Sequence, residues 1–223
     1  MTDQRLMKFV RDGERAEPLG DGYYIIQQMN GYRFGSDAVA LAHYASGFTG
    51  KNSRVYDLCS GCGIIGIMLA IASDCPVDGA EIDSTLCDMS NRACALNGLD
   101  SVRFNNTDIK NIGELPAAEY DLVVCNPPYY KADSKPSAVA PQANSELTVK
   151  LAEVVAAAKR LLKVGGSLCM VHISSRLDEV IVECDRNGLT PKELIVNPNG
   201  KTFMLRAVRG GKRGITLSIK QFD

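Results

Sequence analysis

Neither sign of charge is in excess in this chain. Twenty-five lysines and arginines face 26 aspartates and glutamates, a net charge of −1. No global field therefore draws the protein toward a polyanion. Long hydrophobic runs are also missing: none approaches the roughly 20 apolar residues that a bilayer-spanning helix needs, so no membrane association is expected. Met1 to Arg15 is polar and charged, which argues against a secretory leader. There is no internal repeat and no low-complexity tract, which excludes solenoids and arrays. Cys59-x-x-Cys62 has no second cysteine pair of ligand spacing to accompany it, so no metal or redox centre is expected there. The eight cysteines fall largely in apolar stretches, as Cys87, Cys94, Cys125 and Cys169 do. They read as small buried thiols in a reduced, cytoplasmic protein without disulfides.

What the chain has is enough apolar residue, 45% of 223, for one core of good size. Its charge is uneven. Between Lys192 and Asp223 seven basic residues (Lys192, Lys201, Arg206, Arg209, Lys212, Arg213, Lys220) oppose only Glu193 and Asp223, a local basic patch of the kind that meets phosphates.

Residues 1–20 read as polar and loose at the start. Tyr23–Met29 reads as a strand, Asn30-Gly31 as a tight turn, and Tyr32-Arg33-Phe34 as the returning partner. Ser36 is placed to cap a helix through Ala38, Leu41, Ala42 and Ala45. Strands and helices then alternate. Strands are expected at Arg54–Leu58, Val77–Ala80, Val102–Asn105, Tyr120–Cys125 and Ser167–Ile173. Helices are expected at Ile64–Ala72, Thr85–Leu96, Leu147–Leu162 and Arg176–Arg186. Strands near Glu193–Val196, Thr202–Val208 and Ile215–Ile219 follow without helices between them and should be antiparallel. The pattern predicts an α/β fold, a mostly parallel sheet with helices on both faces and an antiparallel C-terminal edge. Residues 1–50 are expected to form an N-terminal hairpin and helix packed on the main domain at 51–223. Tyr130–Ser145, rich in Ala, Ser and Pro, is too long for an ordinary connection and reads as a segment that orders over a substrate.

Asp57-Leu58-Cys59-Ser60-Gly61-Cys62-Gly63-Ile64-Ile65-Gly66 follows a strand and opens a helix. Gly61 and Gly63 permit a tight turn and close approach of a ligand. Glu81 lies 81 − 61 = 20 residues on, at the end of the next strand, where a carboxylate can accept from both hydroxyls of a ribose. The same spacing fits a dinucleotide site. Asp57 favours a different nucleoside cofactor: an acid at the strand end repels a pyrophosphate but suits the ammonium and sulfonium side of S-adenosylmethionine. Asp108, after the third strand of the series, reads either as a partner for an adenine amino group or as a helix cap before Ile109.

Asn126-Pro127-Pro128-Tyr129 follows the fourth strand, at the carboxyl end of the sheet where open α/β folds bind ligands. Pro127 keeps Asn126 extended, and two prolines remove two backbone donors. The Asn126 amide oxygen and the Pro127 carbonyl can then accept from one amino group. That suits methylation of a conjugated amine, whose lone pair is delocalised: paired acceptors favour a pyramidal nitrogen and stabilise the charge that develops on it. Tyr129 can stack on a flat base.

With these motifs in place, the chain resembles the bacterial tRNA(Val) adenine-N6 methyltransferases, a branch of the Rossmann-like class I methyltransferases, over nearly its whole length. The resemblance extends to Ile25-Ile26-Gln27-Gln28 and to Tyr32-Arg33-Phe34-Gly35-Ser36-Asp37-Ala38-Val39. It implies that Phe34, Gly35 and Asp37 cover the methionine end of S-adenosylmethionine; the alternative is that Ser36 and Asp37 simply open a helix. His172 and Arg176 sit where the family has a His and an Arg. Gly210-Gly211-Lys212 matches its basic turn, which implies RNA-backbone contact by Arg209, Lys212 and Arg213, against a merely solvated turn. Cys59 stands where the family's loop has its first glycine and is carried over as a cofactor-site residue. Ala143-Asn144-Ser145-Glu146 and Leu217-Ser218-Ile219-Lys220 depart from the family pattern. The implied function is methylation of adenine N6 in tRNA, with RNA as partner and no oligomeric state fixed. A protein glutamine N-methyltransferase, an rRNA guanine-N2 enzyme, an NAD-dependent oxidoreductase and a non-catalytic RNA-binding module are the rival readings.

Overall fold

Val55–Leu58 and Tyr120–Cys125 show no polar–apolar alternation, as a strand does only when both its faces are covered. In a computed structural model, which describes residues 4–31, 33–129 and 149–222, these two segments lie side by side at the centre of an eight-stranded sheet. In chain order the elements are α1 (Gln4–Met7), β1 (Glu14–Gly20), β2 (Tyr23–Gln28), α2 (Ser36–Ser46), β3 (Val55–Leu58), α3 (Ile64–Ser73), β4 (Val77–Glu81), α4 (Ser84–Asn97), β5 (Val102–Asn106) and β6 (Tyr120–Cys125). After these come α5 (Leu151–Leu161), β7 (Leu162–Ile173), α6 (Leu177–Arg186), β8 (Leu189–Val196), β9 (Thr202–Arg209) and β10 (Thr216–Ile219).

The strand order is β10-β8-β9-β7-β6-β3-β4-β5. β5, β4, β3, β6 and β7 pair in parallel. β9 is antiparallel to both β7 and β8, and β10 is parallel to β8. Seven of the eight strands thus run one way and β9 alone runs against them. The expectation of an antiparallel end holds for β9 but not for β10, which crosses from the end of β9 past β8 without a tight hairpin. One face of the sheet carries an apolar cluster shared by α2, α3 and α4; the other carries one shared by α5 and α6. α5 buries Leu151, Val154, Val155, Ala158 and Leu161, a stripe at three- and four-residue spacing.

Three expectations need correction. β2 pairs with the segment before it, not with Arg33 and Phe34 (Tyr32 lies outside the described residues): β1 and β2 form an antiparallel hairpin with Ala16 opposite Ile26. Asp21 (φ 50°) and Gly22 (φ 80°) make its turn; both central residues are left-handed, as a type I′ turn requires. The chain after β2 is needed elsewhere: Phe34 packs into the α2–α3 cluster and Gly35 is the N-cap of α2. Residues 1–20 are accordingly not loose from Gln4 on. Secondly, Ser36 is the first residue of α2, without a side-chain capping bond. Thirdly, α5 begins at Leu151, where the Lys150 N–H donates to Glu153 Oε2 at 2.7 Å. The segment Tyr130–Ser145 and the start expected at Leu147 lie outside the described residues.

The hairpin is fastened to α4. Arg92 donates to both Glu14 oxygens (2.6 and 2.7 Å) and to Asp88 (2.9 Å), and Asn97 bonds the Tyr24 N–H and carbonyl at 2.9 and 2.7 Å.

Candidate functional site

The parallel register brings three strand ends to one edge: Leu58 lies opposite Ala80 on β4 and opposite Cys125 on β6. The glycine loop, Glu81 and the Asn-Pro-Pro-Tyr segment are therefore neighbours, although 69 positions separate Asp57 from Asn126 (126 − 57).

Asp57 is wholly buried. Its Oδ2 accepts from the Gly66 N–H at 2.9 Å, while its Oδ1 is buried with no partner. Burial, countered in part by the Gly66 bond and reinforced by the negative charge of Glu81, pushes its pKa up to about 7. The loop then turns through Cys59 (φ 57°), Gly61 (φ 57°) and Gly63 (φ 81°). Cys59 thus carries a side chain in a left-handed conformation that favours glycine. A Cβ on Gly63 would stand 2.9 Å from the Phe104 ring, and one on Gly66 3.0 Å from Val77. These two glycines let the loop and α3 lie close to the sheet. Ser90 of α4, fully buried, shares its one hydroxyl proton between the Leu86 carbonyl of its own helix at 2.8 Å and the Gly61 carbonyl of the loop at 3.1 Å.

Glu81 is nearly buried. It accepts from Gly61 N–H (2.8 Å) through Oε2 and from Asp83 N–H (2.9 Å) through Oε1, leaving each oxygen capacity for a further donor. Burial raises its pKa against those bonds. Ile82, the next residue, is an exposed large apolar side chain. Asp108 caps the turn after β5, its Oδ1 accepting from the Lys110 N–H at 3.0 Å. It stands one residue past Thr107, whose N–H donates to the Glu81 carbonyl at 3.0 Å. Phe34 packs against the cluster that contains Cys62, Ile64 and Ile65 of the loop and α3. Gly35 and Asp37 belong to the start of α2, the helix that lies against α3.

The two cysteines of Cys59-x-x-Cys62 do different things. Burial pushes the Cys62 thiol up to about 12. Cys59 shares a hydrogen bond with Cys125, whose thiol burial and that bond push well above its ordinary value. Among the described residues no group of three or more His, Cys, Asp or Glu side chains is arranged to hold a metal ion.

In the tetrapeptide, Pro127 is buried and Asn126, Pro128 and Tyr129 are half-buried. The Tyr129 hydroxyl donates to Asn126 Oδ1, so the amide oxygen already faces a donor. The Tyr129 carbonyl accepts from Arg176 Nη1 at 3.2 Å. Arg209, Lys212 and Arg213 are not brought to this edge. Val208 pairs with Ser167, three residues before the Met170 that pairs with Cys125 (170 − 167), and β9 runs on from there toward the start of β7, so the turn after β9 lies toward the opposite edge of the sheet. Sequence reasoning missed Ser60, whose buried Oγ has no partner, as well as Ser90 and Ile82. Serine beside glycine reads as an ordinary turn residue, and only the unsatisfied hydroxyl inside the loop marks Ser60 out.

The fold and this edge define a class I S-adenosylmethionine-dependent methyltransferase. The chain belongs to the methyltransferase small domain family, whose sequence profile matches residues 39–183. It is 28% identical over 170 residues to a tRNA1(Val) (adenine(37)-N6)-methyltransferase of Dickeya chrysanthemi, covering 74% of this chain and 66% of that protein. It is also 36% identical over 77 residues, 34% of this chain and 26% of the relative, to the ribosomal protein uL3 glutamine methyltransferase of Bordetella pertussis. The crystal structure of a predicted O-methyltransferase from Agrobacterium tumefaciens superposes with a TM-score of 0.63 at 20% identity, over 83% of this chain and 86% of that one. The dinucleotide reading of the glycine loop falls with the family assignment. The cofactor is S-adenosylmethionine, and the loop suits it: the partnerless Asp57 Oδ1 and Ser60 Oγ are polar atoms that a cationic, hydroxyl-bearing nucleoside can satisfy.

Proposed function

We propose that the protein methylates the exocyclic N6 of an adenine in tRNA. The carrying observation is that the Asn126-Pro127-Pro128-Tyr129 segment emerges from β6 directly beside the β3 loop, with Leu58 and Cys125 in register. An amine held by the tetrapeptide is thereby next to a cofactor held by the loop. The cofactor, when bound, supplies a methyl group on a cationic sulfur that leaves readily. On the protein's side, Asn126 Oδ1 and the Pro127 carbonyl accept the two N–H bonds of the amine and stabilise the charge that grows on nitrogen. The Tyr129 ring offers a stacking face, and its hydroxyl must first give way, since it donates to the oxygen that the amine needs. Asp57, Ser60 and Glu81 with Gly61 and Gly63 bind and orient the nucleoside. Ile82 lays an apolar side chain beside its ring, Asp108 is the candidate for its amino group, and Phe34, Gly35 and Asp37 close over its amino-acid end. Residues 1–50 act as an N-terminal cover on a catalytic domain at 51–223. The tRNA assignment draws on the relative from Dickeya chrysanthemi. A cytoplasmic setting accords with eight free thiols, and no described helix is long and apolar enough to cross a membrane.

A second reading, methylation of a glutamine carboxamide, is favoured by the partial match to the uL3 enzyme; a carboxamide nitrogen is planar and deactivated in the same way. Incubation with methyl-labelled cofactor and total bacterial RNA or ribosomal protein decides between them. Label in adenosine of tRNA is expected, and label confined to protein overturns the RNA reading. Asn126→Ala should lower methyl transfer by about 10²–10³-fold, as removal of a transition-state hydrogen bond does. Affinity for S-adenosylhomocysteine should stay within about twofold. Unchanged turnover would defeat the role given to the tetrapeptide.

A further inference from the structure

Tyr129 makes three contacts among the described residues. Its hydroxyl reaches Asn126 Oδ1, its carbonyl accepts from Arg176 Nη1 (3.2 Å), and its ring lies against His172 with centroids 5.4 Å apart at 56°. Arg176 and His172 come from the corner where β7 passes into α6, one strand over from the tetrapeptide. Arg176 is only 7% exposed. Its Nε and Nη2 donate to Glu179 Oε2 at 3.2 and 2.9 Å, while Nη1 points at Tyr129. His172 is fully buried, stacked on Phe203 at 6.3 Å. Its Nδ1 accepts from the Ile173 N–H at 2.9 Å, which puts the ring proton on Nε2 and fixes the plane of the ring. Burial and the adjacent Arg176 charge push its pKa down to about 4, so it stays neutral at working pH and is a weak base.

An asparagine amide turns easily about its last torsion. The direction of the Asn126 oxygen therefore has to be set from outside, and Tyr129 sets it. We infer that His172 and Arg176 are positioning residues that hold Tyr129 by its ring and its backbone. Its hydroxyl thus keeps the Asn126 acceptor aimed at the place of the incoming amine until substrate displaces it. This rests on the reading of the tetrapeptide given above, though not on which amine is methylated. The guanidinium is needed because a planar fork can grip Glu179 and reach a carbonyl together, whereas an ammonium is a point charge. The ring of His172 is needed for contact rather than for titration.

The test compares Arg176→Ala, Arg176→Lys, His172→Ala and His172→Phe with the parent enzyme, using the acceptor found by the labelling experiment. Arg176→Ala should lower kcat by about 10–30-fold, with the KM for S-adenosylmethionine and the affinity for S-adenosylhomocysteine within about twofold. His172→Phe should keep most of the activity that His172→Ala loses. In a Tyr129→Phe background, which removes the hydroxyl, the Arg176→Ala effect should shrink to about threefold or less, because both act through one bond. A readout independent of the acceptor is the Asn126 side-chain amide in ¹⁵N NMR spectra of the ligand-free protein. Its two proton signals should move toward unrestrained values in Arg176→Ala, a shift that stands even if RNA proves not to be the substrate. Should the alanine variant fail to fold, Arg176→Lys carries the same expectation with a smaller loss. Parallel loss of cofactor affinity and kcat, additive effects with Tyr129→Phe, or unmoved Asn126 signals would each overturn the inference.

Discussion

Asp57 has one oxygen bonded to Gly66 and the other, equally buried, bonded to nothing. With its pKa near 7, the group keeps a proton in the free protein across the range where an exposed carboxylate is already ionised. The sign follows from linkage: the native state binds this proton more tightly than the unfolded chain, so its contribution to stability is full below the ordinary carboxylate range and is lost as pH rises toward about 7. Asp57→Asn should therefore gain stability relative to the parent as pH climbs from 4 to 7, read from thermal midpoints. Binding of an ammonium requires the ionised form. Affinity for S-adenosylhomocysteine should rise about tenfold from pH 6 to pH 8, as the ionised fraction does for a group titrating near 7, and Asp57→Asn should flatten that profile. A flat profile in the parent would place the ammonium elsewhere. Asp57, Glu81, Gly61, Gly63 and Asn126 were legible in the sequence because strand ends and turn residues mark them. Ser60 and the Arg176 hold on Tyr129 were not, since an unsatisfied hydroxyl and a bond across 47 residues exist only once the chain is folded.

At the scale of elements, local chemistry and tertiary demand can be told apart. α4 ends at Gly98 in the left-handed region (φ 67°), just where Asn97-Gly98 says it should, and β3 through β6 match their apolar runs to within a residue or two. The N-terminal hairpin was misread because two turn signals compete. Asn30-Gly31 and Asp21-Gly22 both suit a tight turn, and which is used depends on where Phe34 and Glu14 find partners. Glu14 finds Arg92. Burial pushes the Glu14 carboxyl up, but the hydrogen bonds from Arg92 and the Arg11 backbone outweigh it, and its pKa falls below the ordinary value. The side chains are 14% and 9% exposed, so Arg92→Ala leaves a largely buried carboxylate with only the Arg11 N–H as a hydrogen-bond donor and should cost about 3 kcal/mol in urea unfolding. Arg11 pairs with Asp88 in the open, 63% and 40% exposed, and Arg11→Ala should cost about 0.5 kcal/mol or less. Equal losses would mean that the hairpin is not fastened through Arg92.

Across the whole molecule, the reversal of β9 separates two regions that the sequence places under one function. The cofactor loop and the tetrapeptide sit at the carboxyl ends of the parallel strands. Because β9 runs the other way, its end and the following turn fall at the opposite edge. From the strand pairing, Arg209 and Asn126 differ by about five residues along the strand direction, about 17 Å. Any grip of Lys212 and Arg213 on RNA is therefore a grip on backbone far from the reacting nitrogen. Arg213 is available for this, since its ion pair with Asp185 spans 3.5 Å with side chains 88% and 59% exposed, which is worth little. Arg209 is partly structural, because its Nη1 donates to the Leu162 carbonyl. Replacing Lys212 and Arg213 together by Gln should weaken tRNA binding at low salt. It should also reduce the dependence of log K on log salt by about one for each phosphate no longer neutralised. kcat at saturating RNA should stay unchanged, since neither side chain reaches the tetrapeptide. A fall in kcat with an unaltered salt slope would show that RNA does not extend to this edge and that the basic turn serves the fold instead.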